Sequence, residues 1–385
     1  MTLPVDSQEL LRKIEDSQPE LLRALEALVS HESPSTDKAP LDSLAALLEE
    51  RFRSAGAQVE RYVERAHGNN LLASFPSRSQ GDARPGLVLC HYDTVWPSGT
   101  LTKQPFEIRD GQVYGPGVYD MKASIAMVEV ALRAIGSLES DLPRPVRVLL
   151  TSDEEIGSPS SRPHIEHLAS ESAYVLVLEP PSFKGALKTS RKGVGRFIVE
   201  VNGRASHAGT QPEKGISATH ELAHQILRLG ELNDPTKGTT VNVGIMHGGT
   251  RRNVVAARAV AEVDVRAWTR EETERLKSAI YGLKPVHDRA VIKVRGGFGR
   301  PPMERSEANV SLFHKAQEVG RALGLELSES ASGGGSDANF TSALGVPTLD
   351  GLGAVGDGAH ADDEHILLEP LPIRTALLAA LILDF

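Results

Sequence analysis

Three short apolar runs, at residues 87–90, 146–150 and 174–178, constrain this chain more than any other feature. Each is the length of a strand, and stretches of helical spacing lie between them. Continuous apolar character marks strands buried on both faces, which is the rule in parallel sheets. Parallel neighbours also need long, usually helical crossovers. The pattern predicts an α/β fold whose mixed, mostly parallel sheet is flanked by helices. Each run ends abruptly in polar chemistry: His91 after the first, Asp153-Glu154-Glu155 after the second, Glu179 after the third. Ligands bind beyond the carboxyl ends of such strands, so the sheet would gather these groups along one edge.

The rest of the chain is read around that sheet. Apolar spacing predicts helices over 7–31, broken at Pro19, and over 41–55, with strands at 58–63 and 70–75. A hairpin over 106–114 would turn at Asp110-Gly111. After about Arg191 the character changes. Strands at 195–201, 240–246, 254–267 and 291–295 alternate with helices at 217–229 and 271–283, which suggests an inserted ferredoxin-like α+β unit. At 385 residues the chain exceeds one comfortable core. We therefore expect one domain over 1–190 and 299–385, which carries the strand-end residues, interrupted by an inserted domain over 191–298. A helix near 373–383 would close the chain.

A net charge of −9 and 4% aromatic residues argue against a nucleic-acid partner. No apolar stretch approaches a membrane span, and the N-terminus shows no secretory leader. Cys90 is the single cysteine, so no intrachain disulfide can form. A reducing, cytoplasmic location is expected. Cys90 itself lies within an apolar run and reads as a small buried residue.

A pair of catalytic metal ions needs a shared carboxylate and further nitrogen or oxygen ligands for each ion. His91, Asp120, Glu155, Glu179 and His360 are the candidates. Asp120 follows the turn Gly115-Pro116-Gly117 and is expected to open a helix. Asp93, two residues after His91, can receive the other ring N–H of that histidine. Glu154 and Glu155 are adjacent, and in extended backbone they would point to opposite sides. One could then bind metal while the other reaches a water.

Seven motifs in order resemble the dizinc metallopeptidase family of glutamate carboxypeptidase, aminoacylase, acetylornithine deacetylase and succinyl-diaminopimelate desuccinylase. They are His91-Tyr-Asp93-Thr-Val, Gly115-x-Gly-x-x-Asp120-Met-Lys, Asp153-Glu154-Glu155-Ile-Gly157, Glu179-Pro180, Ala205-Ser-His207-Ala-Gly209, Ser336-Asp337-Ala338 after a glycine run, and Gly358-Ala-His360. The glycine run and Glu179 lean toward the glutamate carboxypeptidase branch. The resemblance implies two Zn²⁺ ions, with Co²⁺ or Mn²⁺ also suited to such ligands. Asp120 would bridge, His91 and Glu179 would complete one ion, and Glu155 and His360 the other. Glu154 would be the general base, and Asp93 would orient His91. A cis peptide is implied after Asp120. The inserted domain would serve as lid and as the interface of a homodimer, with His207 reaching the partner's site to stabilise an oxyanion. Asn253, Arg266 and Gly334 would contact substrate, and Arg300 would grip its carboxylate. The implied reaction is hydrolysis of a peptide or N-acyl amide in a small carboxylate-bearing substrate. Alternatives are a biosynthetic deacetylase or desuccinylase, an aminohydrolase of an aromatic amine, and a catalytically inactive binding homologue.

Two motifs mislead. His220-Glu221-Leu-Ala-His224 matches the zincin pattern, yet no third ligand follows at suitable spacing and the segment falls in the insert. Gly115-Pro116-Gly117 is too short for a dinucleotide fingerprint and follows a hairpin instead of a parallel strand.

Overall fold

The computed structural model describes residues 6–77, 83–138 and 141–385. The chain divides into two compact units, one of Met1–Thr189, Arg305–Ala331 and Ser336–Phe385, the other of Ser190–Glu304 and Ser332–Gly335.

The larger unit is built on an eight-stranded mixed sheet. Its order is Gln58–Tyr62, Asn70–Phe75, Val146–Thr151, Gly86–His91, Tyr174–Val177, Thr348–Asp350, Leu187–Arg191 and Glu329–Ser332. The central pairings are parallel and the described outer ones antiparallel. Gly86–His91 and Tyr174–Val177 are buried at every residue, as their apolar sequences require. Register decides the site. His91 pairs with Thr151, and Leu89 pairs with Val177. Glu179 therefore leaves its strand alongside His91, and Glu154 leaves three residues beyond Thr151.

Ala123–Ser137 and Leu371–Asp384 are buried almost all round and pack against each other. Helices apolar on every side belong in an interior. The predicted break at Pro19 falls instead at Ser17, between Ser7–Asp16 and Gln18–Val29. Pro19 sits in the first turn of the second helix, where an N–H would have no partner anyway.

A small antiparallel sheet orders Gly356–Asp357, His365–Leu367, Gln112–Tyr114 and Glu107–Arg109. The expected hairpin at Asp110-Gly111 forms its second half. The first half, which sequence reading did not anticipate, flanks His360. This sheet brings the His360 stretch beside the chain entering Asp120.

The second unit is an antiparallel sheet in the order Thr240–Gly248, Arg258–Ala267, Gly193–Asn202, Val291–Arg300. With helices Ala218–Gly230 and Arg270–Tyr281 it follows the β-α-β-β-α-β ferredoxin-like pattern. Two boundaries differ from expectation. The strand predicted from 254 begins at Arg258, because Asn253, Val254 and Val255 bond instead to the 206–208 segment. The strand predicted to end at 295 continues to Arg300 through Gly296-Gly297. A Cβ on Gly296 would lie 2.1 Å from the Arg196 carbonyl oxygen, so the glycine is what lets the strands stay paired there.

Candidate metal centre

Five of the sequence-predicted side chains converge at the carboxyl edge of the large sheet. His91 Nε2 lies 3.1 Å from Asp120 Oδ1 and 3.7 Å from Glu179 Oε1. His360 Nε2 lies 3.1 Å from Glu155 Oε1 and 3.5 Å from Asp120 Oδ2. The ligand atoms thus form two groups, His91–Asp120–Glu179 and Asp120–Glu155–His360, each within 4.8 Å. Asp120 belongs to both and turns a different oxygen to each histidine.

Local backbone sets these positions. His91 is the last residue of its strand. Asp120 was expected to open a helix. It lies instead in an irregular turn over Val118–Lys122, at φ −116°, ψ 90°, and Ala123 starts the regular helix. The Asp120–Met121 peptide is cis. Glu154 and Glu155 are not extended, as the sequence reading assumed. They occupy a 3-10 turn over Glu154–Ile156, where neighbours diverge by about 120°, so they still point apart.

Electrostatics fit a cation. Asp120, Glu155 and Glu179 bring three carboxylates into a largely buried space beside two imidazoles. The imidazoles respond. Hydrogen bonds accepted by Asp120 and Glu155 push the His360 pKa up to about 10. Burial works to lower that of His91, but Asp120 and Asp93 outweigh it and hold it well above its usual value. Burial works to raise the Asp120 pKa, while His360 and His91 draw it below the usual carboxylate range. Burial raises that of Glu155. Protons on nitrogen thus offset charge that a divalent ion would offset by displacing them. Two nitrogens and three carboxylates suit zinc, cobalt or manganese.

The supporting residues differ in part from expectation. Asp93 was expected to orient His91 through its carboxylate. The ring Nδ1 is 3.0 Å from the Asp93 main-chain carbonyl oxygen and 3.5 Å from the carboxylate. That carboxylate, fully buried, accepts from Glu154 N at 3.1 Å, Glu155 N at 3.2 Å and Ser35 Oγ at 2.8 Å. Its contacts hold the turn of the two glutamates more directly than the ring. Glu364 was missed altogether. It is buried and accepts from the main chain of Gly117, Tyr119 and Asp120 and from Trp96 Nε1.

A family model described as Peptidase family M20/M25/M40 matches residues 87–384. The chain belongs to this family. It is 31% identical to "Carboxypeptidase G2" of Pseudomonas sp. (strain RS-16), over 97% of this chain and 91% of that one. It is 28% identical to "Succinyl-diaminopimelate desuccinylase" of Dechloromonas aromatica (strain RCB), over 86% and 90% of the two chains. Its fold matches aminopeptidase PepT from Bacillus cereus ATCC 10987 with a TM-score of 0.77 at 24% identity, over 95% and 98% of the two chains. The family is metal-dependent, and the chain is accordingly a metal-dependent amidohydrolase.

The second unit of this M20 chain holds the other predicted residues. His207 and Asn253 are neighbours: His207 forms a β-bridge with Val254, and Ala208 N donates to the Asn253 carbonyl at 3.0 Å. His207 is exposed, and its Nδ1 accepts from Gly209 N and Thr210 N, each at 3.1 Å. With Nδ1 accepting, Nε2 is the ring nitrogen left to donate. Arg266 is forked onto Asp264 at 2.8 and 3.0 Å, and Gly334 accepts from Arg191 at 3.2 Å. Arg300 is buried. In the zincin-like segment, His220 and His224 are exposed, while Glu221 is buried and accepts from Val286 N and His287 N. Among the described residues no helix is long and apolar enough to cross a membrane.

Proposed function

We propose that the chain hydrolyses a peptide or N-acyl amide bond in a small, carboxylate-bearing substrate at a centre of two divalent ions, Zn²⁺ or in its place Co²⁺ or Mn²⁺. His91, Asp120 and Glu179 would hold one ion, and Asp120, Glu155 and His360 the other. The observation that carries this reading is the division of the Asp120 oxygens between two histidine–carboxylate groups. Relatives named as a carboxypeptidase favour the peptide bond, and those named as a desuccinylase and an acetylornithine deacetylase keep the N-acyl bond as a second reading.

Bound divalent ions supply Lewis acidity and a water that ionises near neutral pH. The remaining work falls to the chain. Glu154 is not one of the five proposed ligands, and it takes the proton of the attacking water. It returns that proton to the leaving amine. Asp93 fixes where Glu154 stands by binding its N–H. His207, protonated on Nε2, donates to the developing oxyanion of a partner protomer. Arg300, Arg266, Asn253 and Gly334 are proposed to contact the substrate, Arg300 at its carboxylate.

A homodimer through the inserted unit is part of the proposal. Thr240–Gly248 is an edge strand with Ile245 47% and Met246 65% exposed, the kind of edge that pairs with another chain. A cytoplasmic setting is proposed from the lone, buried Cys90.

The test is Glu154→Gln in purified protein. Metal analysis should find the ions retained, while hydrolysis of N-acyl amino acids and dipeptides falls by about 10²–10⁴-fold. Surviving hydrolysis would remove Glu154 as the base, and a wild-type chain that binds no metal would remove the centre.

A further inference from the structure

We propose that Glu364 is a positioning residue of the centre, its carboxylate clasping the turn that aims Asp120 to the loop that carries His360. This rests on the ligand reading above and adds a residue to it.

The Glu364 side chain is 3% exposed. One oxygen accepts from Tyr119 N at 2.9 Å and Asp120 N at 3.0 Å. The other accepts from Gly117 N at 2.8 Å and Trp96 Nε1 at 2.7 Å. All four partners are N–H donors, and a carboxylate is the side chain that offers two oxygens and no hydrogen. The turn it binds leaves helical geometry at Asp120 and Met121, so its shape depends on an outside acceptor.

The loop at the other end of the clasp is closed on itself. Ala361 N donates to Gly358 O at 2.9 Å, and Glu364 N to Ala361 O at 3.0 Å. Gly358, at φ +79°, lies so close that a Cβ would sit 3.0 Å from Glu364 N and Cα. His360 falls inside this loop, so its backbone is tied to that of Glu364. One buried carboxylate thus joins two ligand-bearing segments 244 residues apart in sequence.

The consequence is selective. The Asp120–Glu155–His360 group uses both clasped segments, whereas the His91–Asp120–Glu179 group uses one. Loosening the clasp should weaken the first group more. An amide at 364 would keep one acceptor oxygen and turn two hydrogens toward N–H donors.

The full chain, stripped of metal with a chelator, is titrated with Zn²⁺ by calorimetry and with Co²⁺ by visible absorption. Circular dichroism and Tm are recorded in parallel. Wild type should take up two ions. Glu364→Gln should bind one with nearly unchanged affinity and the second about 10–100-fold more weakly, the usual cost of losing a residue that orients a ligand. The Co²⁺ absorption of the second ion should shift. Should Glu364→Gln fail to fold, Trp96→Phe removes one of the four donors and should weaken the second ion about fivefold. Two ions bound with wild-type affinity in the folded variant, whatever the change in Tm, overturn the clasp alone. A wild-type chain that takes up no ion overturns the ligand reading, and the clasp with it.

Discussion

Asp93→Asn separates the job that the sequence assigned to this carboxylate, orienting His91, from the one its contacts show, holding the turn of Glu154 and Glu155. In the structure Asp93 Oδ1 accepts from Glu154 N, and Oδ2 accepts from Glu155 N and Ser35 Oγ. The isosteric amide keeps one oxygen and turns an NH₂ group toward donors that had an acceptor. At least one charge-assisted bond to the glutamate turn is lost, and such bonds contribute about 1.5–3 kcal/mol each. If that strain displaces Glu154, kcat should fall by about 10–150-fold at the usual exchange of energy for rate. KM should move little, because nothing in the change touches substrate binding. The His91 ring should stay in place, since its Nδ1 is held at 3.0 Å by the main-chain carbonyl of residue 93, which the substitution leaves intact. The assay is steady-state kinetics with saturating metal, paired with a metal titration of the stripped protein. A variant with normal kcat once loaded but a weakened first ion would refute the reasoning. It would return Asp93 to the role of orienting His91 through its carboxylate.

Three further outcomes are expected. Glu221→Ala should destabilise the inserted unit by about 1–3 kcal/mol, because Val286 N and His287 N lose their acceptor; His224→Ala should leave both Tm and activity unchanged, and an inactive His224→Ala protein would revive the zincin reading. Glu272 is buried against Arg275, Thr239 and Lys237, and these hold its pKa down at about 2 from an ordinary 4.5. The unfolded chain therefore binds the extra proton first, so this contribution to stability is complete above about pH 4.5 and fades as pH falls toward 2; denaturant unfolding across that window should show a shallower slope in Glu272→Gln. Met246→Glu, placing charge on the exposed edge strand, should shift sedimentation from the proposed dimer to monomer, and an unchanged dimer would move the interface elsewhere.

Why some of this was legible in the sequence and some was not follows from what each residue binds. His91 and Glu179 stand directly after apolar runs that a buried parallel strand explains, and strand register alone sets them side by side. Asp120 and His360 were candidates by residue type alone and needed the motif resemblance for their assignment, because an irregular turn and a loop at positive φ have no periodicity to read. The ferredoxin-like order of the insert was visible in its alternation, but the start of its third strand was not, since Val254 and Val255 are apolar yet bond to another loop. Three residues whose backbone contacts the sequence did not foretell share one property. Asp93, Glu364 and Glu221 are buried carboxylates whose partners are mostly main-chain N–H groups. Every residue except proline carries that donor, so the partner leaves no signature of residue type, and the separations of 61, 244 and 65 positions exclude local spacing as a guide. Each of the three also looks, in one dimension, like something else: an orienter of the nearest histidine, part of a solvated acidic run, the glutamate of a zincin motif. A buried acid that holds backbone becomes visible only once the fold has shown which N–H groups lack a helical or strand partner, and in this chain two of the three hold segments of the candidate metal centre.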